Sequence, residues 1–221
     1  MRGSGFFPAV RGMDVAAPLG GRLPTVYRGA SVRVASVAAP ILWVSSAEGL
    51  DRIAIQVPCE SPTGTVPISL TFNGQSIAGQ VSVFETNPGI VETADWESTD
   101  AQRRSGVVIR QDGSYVSASN PALSGETVTG IFTGLGATIE PRITGATGTG
   151  QMVPRERVVV GVANQGVPVE SVTYAPGRVG VYLVRFTIEG VTATGSVPYA
   201  VAVRDGNGNL VFGNSSILDI R

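Results

Sequence analysis

A hard cation such as calcium needs oxygen ligands at alternating positions of a loop. Asp205-Gly206-Asn207-Gly208-Asn209 offers them in D-x-N-x-N spacing. An EF-hand loop also needs a glycine at its sixth position and a bidentate glutamate at its twelfth, and here those positions hold Leu210 and Ser216. The segment lies between two strand-like runs, so a Gly/Asn hairpin is the expectation and cation binding at Asp205–Asn209 the alternative. Gly134-Leu135-Gly136 is too short for a phosphate loop, and no lysine follows it. Asp95, Glu97 and Asp100 bring carboxylates close enough for general acid/base work, but they stand in a polar stretch that reads as solvated surface.

The zeros are sharper than the motifs. The chain has no histidine, which excludes Ser-His-Asp and Cys-His catalysis and imidazole ligation of a metal. One cysteine, Cys59, cannot close an intrachain disulfide or a thiolate cage. It follows Pro58 at the end of an apolar run and reads as a half-buried small residue. No cofactor or metal is implied, and the expectation is a protein that is not an enzyme. Of the two tryptophans, Trp43 lies inside the apolar run I-L-W-V and reads as core. Trp96 stands in polar sequence, where it would either cover a domain junction or serve as an exposed ligand contact. With Tyr27, Tyr115 and Tyr174 near turns, Trp96 makes the case for a carbohydrate-binding surface.

The elements that would carry these residues are strands. Hydrophobic residues make up 43% of the chain and aromatics only 6%, so cores must be filled by Val, Ile, Leu and Ala. Charged residues are 15%, well below the usual quarter. Short β-branched runs broken by 29 Gly and 14 Pro point to an all-β fold. The net charge of −1 gives no electrostatic case for nucleic acid or an anionic membrane. No apolar run reaches the length of a membrane-spanning helix.

An internal repeat organises the chain. T-G-T-V-P-I-S-L at Thr63–Leu70 returns as T-G-S-V-P-Y-A-V at Thr194–Val201, which pairs Gly64 with Gly195, Val66 with Val197 and Pro67 with Pro198 at a spacing of 131 residues. Ile53–Val57 falls opposite Val184–Ile188 at the same spacing. A strand, a turn and a strand in register imply two similar units.

In the first unit, Phe6–Val10 reads as a strand that R-G-M-D at Arg11–Asp14 turns out of, with Thr127–Gly136 as its counterpart. Ala16–Arg28 reads as irregular. Ser31–Val37 alternates, with Val32 and Val34 on one face. Ile41–Val44, Arg52–Val57, Val66–Phe72 and Gln80–Phe84 follow as strands, the last two joined by a hairpin at Asn73-Gly74. Pro40, Pro58 and Pro67 are expected at strand ends or edges. Glu92–Arg104, the most polar stretch, reads as a linker or crossover. Val107–Arg110, Tyr115–Ala118, Thr127–Gly136, Arg157–Val162, Val167–Tyr174, Gly180–Glu189, Ser196–Arg204 and Asn209–Ile220 are the strands of the second unit. Glu140–Arg155 reads as a Thr/Gly-rich loop that gives this unit its extra length.

The order of several short motifs resembles the Solibacter-type C-terminal domain of large secreted Acidobacteria proteins, which is built from units similar to IPT/TIG immunoglobulin-like domains. The motifs are Gly29–Val34, Ala39–Ser45, Ile55–Pro58, Pro88-Gly89-Ile90, Asn120-Pro121-Ala122, Gly125–Gly136 and Pro176–Ile188, and they span nearly the whole chain. That family usually has a further strand before Phe6, and this chain carries a few extra residues near Ala47–Asp51. The resemblance implies two tandem β-sandwiches and an extracellular or cell-surface setting, and it brings no catalytic residues with it. The expected organisation is a first immunoglobulin-like sandwich over 1–87 lacking its first strand, a polar linker over 88–106, and a second sandwich over 107–221. The N-terminus has no signal-peptide pattern, and the chain reads as truncated there.

The expected function is a non-catalytic structural or adhesive module of an exported bacterial protein. Its partner would be a protein or cell surface, with a polysaccharide bound at Trp96 as the alternative. Neither nucleic acid nor membrane insertion is expected. Self-association through the open edge left by a missing first strand is compatible with this reading.

Overall fold

The structure is a computed structural model that describes residues 2–3, 7, 9–10, 12–18, 20–47, 49–94 and 104–221. The described residues form strands and turns with no helix, and every sheet is antiparallel. The protein is an all-β sandwich fold. Alternation explains why. In Ala30–Val34 the side chains of Ala30, Val32 and Val34 are buried and those between are not, the pattern of a strand with one face on a core.

The chain divides into two compact units, and both are discontinuous. The first comprises Met1–Glu85, Pro141–Thr149 and Pro176–Val179. Its strands are β1 (Arg2–Gly3), β2 (Gly12–Val15), β3 (Val26–Tyr27), β4 (Ala30–Val34), β5 (Val37–Ala39), β6 (Ile41–Ala47), β7 (Leu50–Ile55), β8 (Gly64–Phe72) and β9 (Gln75–Val83). One sheet has the order β1-β7-β6-β2 and the other β3-β4-β8-β9, with β5 also on β4. Val32, Val34, Ile41, Val44, Ile53, Val66 and Leu70 meet between the two sheets. Burial contributes about 1.5–3 kcal/mol for each side chain of that size.

The second unit comprises Thr86–Glu140, Gly150–Ala175 and Gly180–Arg221. It contains β10 (Gly89–Ile90), β11 (Glu92–Ala94), β12 (Arg104–Gly106), β13 (Val108–Ile109), β14 (Thr127–Thr133), β15 (Arg157–Val162), β16 (Gln165–Val167), β17 (Val169–Tyr174), β18 (Val181–Thr187), β19 (Gly195–Arg204) and β20 (Leu210–Ile220). One sheet is β10-β14-β18-β17 with β13 on β14, the other is β16-β15-β19-β20, and β11 pairs with β12 alone.

Several expectations are corrected. The described residues of the stretch read as a linker, 88–106, include β10, β11 and β12 and belong to the second unit. Phe6 lies outside the described residues; Phe7 is buried but not in a strand, and R-G-M-D, read as a turn, overlaps β2. Tyr115–Ala118 contributes only an isolated bridge from Tyr115 to Ile109. Of the loop Glu140–Arg155, expected to lengthen the second unit, Pro141–Thr149 instead belongs to the first. Leu23 N–H donates to Gly145 O at 2.9 Å and Thr147 N–H to Gly21 O at 2.9 Å, while Gly145 N–H donates to Gln56 Oε1 at 2.7 Å.

The repeat is visible atom by atom. The order β5-β4-β8-β9 in the first unit matches β16-β15-β19-β20 in the second. In both, a two-residue turn joins the first pair: Ala35-Ser36 at φ 48° and 71°, and Ala163-Asn164 at φ 50° and 63°. Ala35 N–H donates to Pro67 O, and Ala163 N–H to Pro198 O, each at 2.8 Å. Pro67 was expected at an end or edge, yet it lies inside β8 between β4 and β9. A proline has no N–H to give a ladder. The missing donor faces the point where β4 has ended and turned away, so no ladder bond is lost. Pro198 in β19 repeats the arrangement beside the end of β15.

Directly after each proline the units differ. Ile68 in the first unit is replaced by Tyr199 in the second, and Tyr199 is fully buried. Its ring stacks on Phe186 at 5.8 Å and meets Phe132 edge-on at 5.9 Å. Room for it comes from two glycines. A Cβ at Gly106 would lie 2.7 Å from Tyr199 Cδ1, and one at Gly130 would overlap Tyr199 Oη and lie 2.6 Å from Phe132 Cε2. The Tyr199 hydroxyl has no hydrogen-bond partner among the described residues, and burial pushes its pKa well above the ordinary tyrosine range.

Alanine at positive φ is strained and asparagine less so, so Ala35→Asn and Ala163→Asn should each raise stability by about 0.5–1 kcal/mol in urea denaturation; a loss from either would contradict the turn geometry. Tyr199→Phe should stabilise by about 1 kcal/mol, because it removes an unpaired buried hydroxyl. Gly130→Ala should cost about 1–3 kcal/mol through overpacking, and part of that loss should return in the double variant. A Tyr199→Phe variant less stable than the parent would show that the hydroxyl is bonded.

Candidate functional site

The Asp205–Asn209 segment is the hairpin loop between β19 and β20, and its carboxylate is turned onto its own backbone. Asp205 Oδ1 accepts the N–H of Asn207 at 2.9 Å and of Asn209 at 2.8 Å, while Oδ2 accepts Asn209 Nδ2–H at 3.3 Å. Asp205 N–H donates to Asn209 O and Gly208 N–H to Asp205 O, both at 2.9 Å. The Asn209 backbone N–H is the largest of the bonds that hold the Asp205 carboxyl below the usual carboxylate range, against a smaller opposing effect of desolvation. Oxygens that a cation would need are therefore committed to closing the turn. Among the described residues no group of three or more Asp, Glu and Cys side chains is placed to hold a metal ion.

Other charged side chains of the described residues fasten strands and loops in the same way. Arg110 makes a two-pronged pair with Glu126, Nε to Oε1 at 2.7 Å and Nη2 to Oε2 at 2.9 Å, and its Nη1 reaches Asn120 Oδ1 at 2.7 Å. Glu126 Oε2 also accepts Leu123 N–H at 2.9 Å, so the loop from 110 to 126 closes on one carboxylate. On the outer face of the β14-β18-β17 sheet, Glu170 accepts from Thr187 Oγ1 at 2.6 Å, Arg185 Nε at 2.8 Å and Thr127 Oγ1 at 3.1 Å. The Thr187 bond contributes most to holding the Glu170 carboxyl below its ordinary range. In the first unit Asp14 joins Tyr27 Oη at 2.8 Å and Arg28 Nε at 2.6 Å, tying β2 to β3 and the turn after it.

The aromatic candidates separate. Trp96 lies outside the described residues, as do Asp95, Glu97 and Asp100. In sequence they connect β11 to β12, a hairpin registered through Glu92–Gly106, Thr93–Ser105 and Ala94–Arg104. At its foot is an open depression of about 440 Å³, lined by Glu92, Arg104, Ser196, Pro198, Ser215 and Ile217 among others. Trp43 was expected in the core; it is half-buried and outside it, because the β6–β7 ladder slips between Ile41 and Trp43 and turns the indole away from the face that carries Ile41 and Val44. Tyr174, counted with the turn tyrosines as a candidate binding residue, is buried edge-on against Tyr182 at 5.1 Å, with its hydroxyl accepting Gly180 N–H. Tyr115 is exposed and Tyr27 is half-buried on Asp14. Cys59 is exposed rather than half-buried.

One surface escaped the sequence reading. The open edge was expected where a first strand would be missing, but β1 there is a two-residue strand at the margin of its sheet. Among the described residues the long bare margin is β9, nine residues from Gln75 to Val83, paired there only with β8 and exposed over most of its length. Uncharged sequence was its visible signal; its place at the sheet margin was not visible.

The Asp205 staple makes a pH prediction. A carboxyl with a depressed folded pKa stabilises above its unfolded pKa, and that contribution disappears as pH falls through the folded value. The Asn207 and Asn209 amide resonances should therefore hold their positions through neutral and mildly acid pH and move only below the ordinary carboxylate range. Movement near pH 6 would contradict the assignment. No protein-family model matches the chain, and no curated protein matches it.

Proposed function

We propose that this chain is a non-catalytic structural or adhesive module of an exported bacterial protein, acting as a spacer or a protein-interaction element. The observation that carries the reading is the use made of the charged side chains. Asp205, Glu126, Glu170 and Asp14 each accept bonds from the turns and strands beside them, which is how acidic groups are employed in a scaffold. The duplicated hairpin with its Pro67 and Pro198 acceptors adds support, since repeated units are a simple way to build length. The immunoglobulin-like, IPT/TIG assignment and the extracellular or cell-surface setting rest on the resemblance of the motif series from Gly29 to Ile188.

The second reading is a polysaccharide-binding module, and the depression at the foot of the β11–β12 hairpin favours it, because the segment carrying Trp96 joins those two strands. Incubation with a panel of insoluble polysaccharides and a glycan array, with Trp96→Ala in parallel, separates the two. The scaffold reading predicts no selective retention by the parent or the variant. Selective binding lost in Trp96→Ala would overturn it and make Trp96 a ligand residue.

A further inference from the structure

The edge at β9 has a backbone phase that can be worked out. Asn73-Gly74, at φ 48° and 80°, is a two-residue loop closing on the pair Phe72–Gln75. In such a hairpin the closing pair exchanges both backbone hydrogen bonds, and bonded pairs recur at every second residue. Gln75, Ile77, Gly79, Val81 and Val83 therefore bond inward to β8. The N–H and C=O groups of Ser76, Ala78, Gln80 and Ser82 point out of the sheet. No backbone bond beyond the β8 ladder joins residues 75–83 to any other described residue.

Natural edges are blunted by charge, proline, bulges or a covering segment. β9 has neither charge nor proline, and its register with β8 runs unbroken from Gly64–Val83 to Phe72–Gln75. The matching strand of the second unit is treated differently. The β19–β20 ladder slips between Ala200 and Ala202. β20 is also fastened to β10, where Ile90 N–H donates to Asn214 Oδ1 at 2.6 Å, and a Cβ at Gly213 would overlap Pro88 O. Among the described residues, none covers β9 in the first unit as β10 covers β20 in the second.

We propose that β9 pairs antiparallel with β9 of a second copy of this chain, about a two-fold axis at Gly79. The strand is self-complementary in that register. Reading outward from Gly79, Ala78 stands opposite the partner's Gln80, Ile77 opposite the partner's Val81 and Ser76 opposite the partner's Ser82. The register places bonded pairs on the four residues whose backbone groups point outward. It places Ile77 and the partner's Val81 on a non-bonded pair, where side chains approach most closely. Ile77 is 50% exposed and Phe84 65% exposed; the same register sets Phe84 opposite the partner's Gly74. With no charged residue in β9, the pairing buries no ion and opposes no like charges. The surface is the edge-addition kind, and an isologous dimer is the commonest closed form.

Cross-linking reads the register directly. In the full chain carrying Cys59→Ser, Gly79→Cys puts two thiols across the axis on a non-bonded pair, where Cα atoms about 4.5 Å apart suit a disulfide. A Cβ at Gly79 meets only Ile68 Cγ2, at 3.8 Å, so the variant keeps the fold. Mild oxidation should give a covalent dimer from Gly79→Cys and none from Ser76→Cys, whose opposite residue is the partner's Ser82. Sedimentation equilibrium supplies the second arm. Ala78→Lys with Gln80→Lys sets like charges opposite each other and should weaken dimerisation about ten-fold, whereas Ala78→Lys with Gln80→Glu sets opposite charges there and should retain it. A parent that stays monomeric at high concentration, equal cross-linking of the two cysteine variants, or equal dimerisation of the two charge variants would overturn the proposal.

Discussion

Two prolines inside strands constrain both halves of this molecule. Pro67 and Pro198 cannot donate to a ladder, so the strand on that side must end where they stand. β4 ends at Val34 and β15 at Val162, and the next residue of each, Ala35 or Ala163, gives its N–H to the proline carbonyl at 2.8 Å. Ending there forces a reversal in two residues at positive φ, which sends β5 and β16 back along the same neighbours. The register of each sheet follows, and with it the inward direction of Val66 and Val197, both buried. A one-residue slip would turn every side chain of the strand to the other face.

From that common frame the units diverge according to what lies beside the prolines. The second unit fills its core with Tyr199, for which Gly106 and Gly130 must lack side chains. It also covers its long margin by fastening β10 to Asn214. The first unit has the smaller Ile68 at the same place, borrows Pro141–Thr149 to bond Gly21 and Leu23, and among its described residues has none that covers β9. The scarcity of charged residues gives this difference its consequence: β9 contains none, so nothing in its sequence repels a further strand.

Much of the fold was legible because it depends on alternation and on turn residues. The Asn73-Gly74 hairpin, the Val32/Val34 face, the strands from Gly180 onward and the Asp205 loop all carry their signal locally. What failed to show was structure held by ladder bonds rather than by buried apolar side chains. β2 is mostly exposed and reads as a turn; β11 and β12 are polar and read as a linker. The attachment of Gly145 and Thr147 to the first unit uses backbone groups at Gly21 and Leu23, which leave no mark in residue type, beside one side chain, Gln56. Trp43 was misplaced because a slip in the β6–β7 ladder breaks the alternation on which the reading relied. At the candidate sites the spacing around Asp205 was readable as a hairpin, whereas Trp96 falls outside the described residues. The bare edge could not be read, since a sequence shows a strand without showing its neighbours.

Residue-resolved amide hydrogen exchange, measured at low and at high protein concentration, tests the account at its centre. The prediction is that the Ala35 and Ala163 amides are protected at both concentrations, while those of Ser76, Ala78, Gln80 and Ser82 exchange freely when dilute and become protected when concentrated. Fast exchange at Ala35 or Ala163 would contradict the proline-bounded repeat, and exchange at Ser76–Ser82 that ignores concentration would contradict the role assigned to the open edge.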